Sequence, residues 1–289
     1  MIPNNNLSIL PFYETLDEQN HKKFYAYGDV YNLISPDSKI LPFHIVREHQ
    51  AGTNFVFDIY NYETGQKVAP QATVTAEVKS AGMFIKQFAS KGYDLIINPS
   101  LLIFPSLKIP QGKYYCRIGD SYGGVWFSDI FTVVSDLSKY VKIEYWDSEN
   151  IEYSGGHIDY DSGIKNYCFV QSEIGKPEYP FEEEAQQRDG YIFVEKQISE
   201  KKYKFEFIAP EYLCDAIRIV RMHDFVNIYF KGKKYSVENI IFDPKWREQG
   251  NLAVVETEFE CDTIVKKIGR GITFAESDYN NDFNNDFNN

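Results

Sequence analysis

Residues Tyr203–Lys267 read YKFEFIAPEYLCDAIRIVRMHDFVNIYFKGKKYSVENIIFDPKWREQGNLAVVETEFECDTIVKK. The periodicities in this stretch decide the fold. Tyr203, Phe205 and Phe207 alternate with Lys204 and Glu206, the period of two that marks a strand with one buried face. Pro210 then opens a short helix, EYLCDAIRIV, in which Leu213, Ala216, Ile217 and Val220 share a stripe and Arg218 and Arg221 lie off it. FVNIYF and YSVENIIF follow as strands joined by a Lys231-Gly232-Lys233-Lys234 turn. NLAVVETEFECDTIVKK closes the unit after a corner spanning 246–250. The expected unit is β-rich with one short helix.

The whole chain has 289 residues, 43% of them hydrophobic, enough for two domains with buried cores. No apolar run approaches the roughly 20 residues of a membrane helix. The opening MIPNNNLSILPFYETLDEQN carries no basic leader or sustained apolar core, which predicts a protein made and kept in the cytosol. The formal charge is −12, and residues 271–289 contribute Glu276, Asp278, Asp282 and Asp286 with no base. Lysine and arginine form no cluster of the kind that displaces counterions from phosphates, so neither nucleic acid nor an acidic membrane is an expected partner. Cys116, Cys168, Cys214 and Cys261 lie far apart inside apolar patterns and read as buried reduced thiols, not as a zinc site or a disulfide framework.

After a polar lead-in (1–23), residues 24–136 break into short strands separated by turn residues, the pattern of a β-sandwich. The segment LKIPQGKYYCRIGDSYGGVWFSDIFTVV (107–134) resembles the end of an immunoglobulin-like sandwich. Tyr114, two residues before Cys116, stands where a corner tyrosine belongs. Residues 137–270 read as a second β-sandwich carrying the helix. Within it, Pro177 and Pro180 predict a loop that carries Glu182, Glu183 and Glu184, before YIFVEKQI resumes a strand. Residues 271–289 form an extended low-complexity tail in which Tyr279, Phe283 and Phe287 recur every fourth residue. That spacing would align them on one helical face, and they are the expected contacts to a partner.

No set of residues carries catalysis. His223-Asp224 lacks the further ligands of a metal hydrolase. Asp159-Tyr160-Asp161-Ser162-Gly163 is a fragment of a calcium loop without its distal glutamate. Ser154-Gly155-Gly156-His157 has no nucleophile-elbow frame. The expectation is therefore no catalytic, cofactor-binding or metal-binding residue, no cofactor, and no enzyme. Two alternatives follow from side-chain chemistry. One is a carbohydrate-binding sandwich stacking sugars on Trp126, Trp146 or Trp246. The other is a glycan-cleaving enzyme, which needs two carboxylates facing each other across a cleft.

Four segments carry a family resemblance: GKYYCRIGD with VWFSDIFTVV; VKIEYWDSENI; KPEYPFEEEAQQRDGYIFVEKQISEKKYKFEFIAPEYLCDAIRIVRMHD; and WREQGNLAVVETEFECDTIVKKIG. Together they resemble virion proteins of phages and prophages of gut Bacteroidetes, particularly the crAss-like podoviruses. The resemblance covers most of residues 100–270. It implies a virion structural protein of the tail or of the rings connecting head and tail, made in the host cytoplasm and bound to other phage structural proteins, with a homo-oligomeric ring as the expected assembly.

Overall fold

A computed structural model describes residues 7–15, 31–38, 40–49, 54–68, 72–75, 84–88, 92–98, 109–148, 151–152, 159–160, 165–188, 190–246 and 250–267. The strands of the N-terminal half are β1 (Phe12–Tyr13), β2 (Leu33–Pro36), β3 (Phe43–Glu48), β4 (Asn54–Asn61), β5 (Ala72–Thr75), β6 (Phe84–Phe88), β7 (Tyr93–Asn98), β8 (Gly112–Asp120), β9 (Val125–Ser128) and β10 (Phe131–Val134). One sheet runs β3-β7-β6. In the other, β8 has β4 on one side and β9 and β10 on the other; β5 extends it past β4, and β2 joins β10 in parallel. Three strands packed against this sheet, which has seven strands with β1 paired to β9, form the first, immunoglobulin-like sandwich. Phe43 of one sheet stacks on Phe57 of the other, ring centroids 6.2 Å apart, and both are fully buried.

Tyr114 is buried against Phe131, and a Cβ at Gly112 would meet its ring at 3.3 Å. A side chain at position 112 would therefore require the tyrosine ring to shift slightly. Leu7, Ile9 and Leu10, within the lead-in, are buried in the core. VWFSDIFTVV divides at Asp129, whose N–H donates to the Pro11 carbonyl at 2.8 Å while Ser128 Oγ accepts from Cys116 N–H at 2.8 Å. The break lets the same edge pair with β1 before it and β2 after it.

The C-terminal half contains β11 (Tyr140–Trp146), β12 (Ile151–Glu152), β13 (Asp159–Tyr160), β14 (Asn166–Gln171), β15 (Phe181–Arg188), β16 (Tyr191–Pro210), α1 (Glu211–Ile217), β17 (Phe225–Phe230), β18 (Lys233–Val237), β19 (Asn239–Trp246) and β20 (Leu252–Lys267). Two four-stranded sheets, β14-β11-β17-β18 and β15-β16-β20-β19, make the second sandwich. They meet through Tyr235 of β18, whose ring lies 4.9 Å from Tyr203 and 5.5 Å from Phe259. Tyr203, Phe205 and Phe207 are buried as their alternation requires, and α1 buries Leu213, Ala216 and Ile217. No helix among the described residues is long and apolar enough to cross a membrane.

Three sequence expectations are corrected. The loop expected around Glu182–Glu184 is strand β15, paired antiparallel with β16 across Phe181–Arg188. Pro180 precedes the strand and removes no ladder donor from it. YIFVEKQI and YKFEFIAP are one strand of 20 residues, because Ser199 to Lys202 remain extended between them. YSVENIIF is two strands in different sheets. β18 ends at Val237, and Glu238 N–H donates to the Glu260 carbonyl at 2.9 Å, handing the chain over to β20.

The two sandwiches share one continuous buried cluster. Across the seam, Tyr167 Oη donates to the Ile40 carbonyl at 3.2 Å, and Tyr212 Oη lies 3.3 Å from Tyr31 Oη. Burial, with Tyr31, Asp129 and Tyr13 close by, pushes the Tyr212 phenol well above its ordinary pKa, so it serves there as a neutral donor.

Candidate functional site

β16 and β20 form a ladder that extends beyond the sandwich. From Tyr203 to Ala209 the residues of β16 alternate between buried and exposed, as one face covers the core. Between Ser199 and Lys201 the register shifts, and β20 carries one extra residue. Asp262 in that bulge has φ 56°, a left-handed conformation that asparagine and aspartate tolerate better than most side chains. Past the bulge, three strands run together from Lys196 to Ser199 of β16, and the β15-β16 hairpin continues alone to the tip as an arm with both faces largely in solvent.

The arm carries exposed apolar side chains. Phe181, Ser199 and Ile264 form one rung by register, and Phe181 and Ile264 are 61% and 68% exposed. At the tip, Tyr191 and Ile192 are 70% and 73% exposed. Polar cross-strand pairs stiffen the rest. Gln197 Nε2 donates to Glu183 at 2.8 Å, and Lys196 Nζ lies 3.1 Å from Glu184. The acids on the outermost strand also discourage unregulated edge-to-edge pairing.

A second feature lies at the seam. A cleft of about 540 Å³ opens between Pro36 and Ser38, the connection at Leu137 and Ser138, and the outer face of the β14-β11-β17 sheet. Lys142 stands at its centre, in register with Phe169 on one side and Tyr229 on the other. Its ammonium lies 5.1 Å from the Tyr167 ring centroid and 4.9 Å from that of Tyr229. Glu144 accepts from Lys142 Nζ and, at 2.9 Å, from Tyr229 Oη. Burial pushes the Glu144 carboxyl up, but Lys142 and the Tyr229 hydrogen bond outweigh it and hold the group below its usual range.

The exposed face of β16-β20-β19 is acidic, and a cleft of about 520 Å³ lies over it beside Glu173. Glu206, Glu256 and Asp243 share one rung of the sheet, side by side on a single surface. Among the described residues no group of three or more His, Cys, Asp or Glu is placed to hold a metal ion. His223 is buried behind Tyr145, its Nδ1 2.9 Å from the Ile219 carbonyl oxygen and its Nε2 3.9 Å from Asp147. Asp224 accepts from the Ser148 hydroxyl at 2.6 Å, linking the segment that precedes β17 to the one that follows β11. Burial pushes the Cys116 and Cys214 thiols up, Cys214 to about 11, and the Cys168 thiol to about 12.

The three tryptophans lie apart. Trp146 stacks on Phe225 at 5.1 Å with Lys165 Nζ 4.1 Å from its ring. Trp126 is half-buried beside the Arg47–Asp120 ion pair, and Trp246, at the end of β19, is 46% exposed. Tyr279, Phe283 and Phe287 lie outside the described residues, as do 153–158 and 161–164. Sequence reasoning missed the arm, although Asp189-Gly190 between two strand patterns is a two-residue hairpin signal and Gly190 takes φ 81°.

No family model matches this chain, and no curated protein matches it. A solved structure similar to part of it is one chain of the ZIG-8–RIG-5 IG1–IG1 heterodimer, at 12% identity and a TM-score of 0.17. That match covers 41% of this chain and 98% of the other.

Proposed function

We propose that this chain is a non-enzymatic structural subunit of a bacteriophage virion, a tail or head-tail ring component that works by protein–protein contact. The observation supporting it is the arm. Beyond the bulge at Asp262, Phe181, Tyr191, Ile192 and Ile264 are set out in solvent on a stiff hydrogen-bonded ladder. Apolar groups grouped in this way are characteristic of surfaces covered in an assembly. The virion setting rests on the resemblance carried by the four sequence segments, and the neighbours are further copies of the chain in a ring and other phage structural proteins.

The test is mass measurement on the full-length protein across a concentration series, with electron microscopy of the largest species. The expected result is closed oligomers. An Ile192→Asp/Ile264→Asp variant should lose them while retaining the wild-type melting temperature. A monomer at every concentration would overturn the proposal. The carbohydrate-binding alternative has one supporting observation, the exposed indole of Trp246. Saturable binding of a glycan that is abolished by Trp246→Ala would favour it.

A further inference from the structure

We infer that arms of neighbouring copies join edge to edge, β20 of one copy pairing in parallel with β15 of the next, so that one sheet runs on through the assembly. The inference rests on the assembly reading above and deepens it by stating which edges meet, in what direction and in what register. β15 is the outermost strand on one side of its sheet, and on the other side β19 covers β20 only as far as Asn239, opposite Glu260. From Ile264 to Lys267, no strand among the described residues pairs with the outer edge of β20. Each copy therefore presents two strand edges with ladder groups to offer.

Four rows cross the three-stranded part of the arm: Phe181, Ser199, Ile264; Glu182, Ile198, Val265; Glu183, Gln197, Lys266; and Glu184, Lys196, Lys267. β15 and β20 are each antiparallel to β16 and so run parallel to one another. A second copy shifted across the strands sets its β15 beside the first copy's β20, and without offset each row continues in kind. Phe181 then covers Ile264, two side chains that are 61% and 68% exposed in the single copy. Glu183 meets Lys266 and Glu184 meets Lys267. Neither lysine has an ion-pair or side-chain hydrogen-bond partner among the described residues. Lys267 moreover stands opposite Lys196, a like-charge pair that a carboxylate on its far side relieves. Glu183 accepts from the neutral amide of Gln197, so its charge is also unmatched.

Pairing like edges loses this agreement. β15 against β15 sets glutamates on glutamates, and β20 against β20 sets lysines on lysines. Main-chain hydrogen bonds and the Phe181 contact supply affinity, while the charges select the edge. Two different surfaces meet, which is the kind of contact that builds rings.

The experiment uses full-length variants. Lys266→Glu/Lys267→Glu makes both edges acidic, and Glu183→Lys/Glu184→Lys makes both basic. Mass measurement across a concentration series should show each alone dissociating at about tenfold higher concentration than the wild type or above. An equimolar mixture should reassemble, because every acidic edge then meets a basic one. Thermal melts of the separate variants are the folding control. In Glu182→Cys/Val265→Cys the two thiols of one copy lie two strands apart, about 9.5 Å, too far for a disulfide. Mild oxidation should therefore link copy to copy, with the wild type and its four cysteines oxidised alongside. Wild-type oligomers that survive both charge changes, or a mixture that fails to reassemble, overturn the edge pairing and leave the assembly reading standing. Reassembly without cross-linking overturns the register. A wild-type chain that is monomeric at every concentration overturns both readings.

Discussion

Tyr167 of the second sandwich donates its hydroxyl to the carbonyl oxygen of Ile40 in the first, at 3.2 Å and out of contact with solvent. This bond and the Tyr31–Tyr212 pair both cross the seam between the sandwiches. Tyr167→Phe keeps the ring and deletes the bond, leaving a buried carbonyl with one partner fewer. The expected cost is about 1 kcal/mol, read as a lower denaturant midpoint at unchanged slope. A variant as stable as the wild type would show that the seam does not depend on this contact.

Arg47 and Asp120 form an ion pair at 3.0 Å with both side chains almost fully buried. Asp120 also organises the turn after β8, its Oδ1 accepting from Tyr122 N–H at 3.0 Å and Gly124 N–H at 2.6 Å. Asp120→Ala removes a charge partner of a buried guanidinium and should cost about 3–5 kcal/mol. Replacing both residues, as Arg47→Met with Asp120→Ala, should cost less than the single change. Chemical denaturation of the three variants gives the comparison.

Burial of His223 lowers its pKa below the ordinary 6.5; its hydrogen bonds to the backbone of Ile219 and Val220 and the nearby Asp147 and Asp224 oppose the shift without cancelling it. The unfolded chain therefore takes up a proton on this residue at a higher pH than the folded chain does. The stabilisation is complete above the unfolded pKa and is lost as pH falls through the folded one. Between about pH 7 and 5 the wild type should lose more stability than a His223→Gln variant. Parallel pH profiles for the two proteins would remove His223 as the cause.

Asp262 holds the left-handed turn of the bulge where the arm leaves the sandwich. Asp262→Gly should be close to neutral, whereas Asp262→Val should cost about 1–2 kcal/mol, because a β-branched side chain crowds the backbone at positive φ. Thermal melts of the two variants separate backbone conformation from loss of the carboxylate, which is absent from both.

Much of the fold was legible in local periodicity. The buried triplet Tyr203, Phe205, Phe207 and the stripe Leu213, Ala216, Ile217 stand where alternation and helical spacing put them. The immunoglobulin-like half followed from KYYCRI and VWFSDIFTVV, since turn residues there coincide with true turns. The errors share a physical cause. FEEEAQQR has no apolar alternation because neither of its faces meets a core, so a strand stabilised by cross-strand polar pairs looked like a loop. The handover at Glu238 is set by a backbone bond to Glu260, which leaves no mark on side-chain pattern. The cleft was hidden for another reason. Pro36, Leu137, Phe169 and Lys231 are distant in sequence and meet only when the seam closes.

β16 runs without a break from the arm's tip to Pro210, paired with β15 from Tyr191 to Ser199 and with β20 from Lys196 to Pro210. A pull on the tip is therefore directed along the strand, loading many ladder bonds in shear at once instead of peeling them apart singly. The bulge at Asp262 marks where that load passes from the arm into the sandwich.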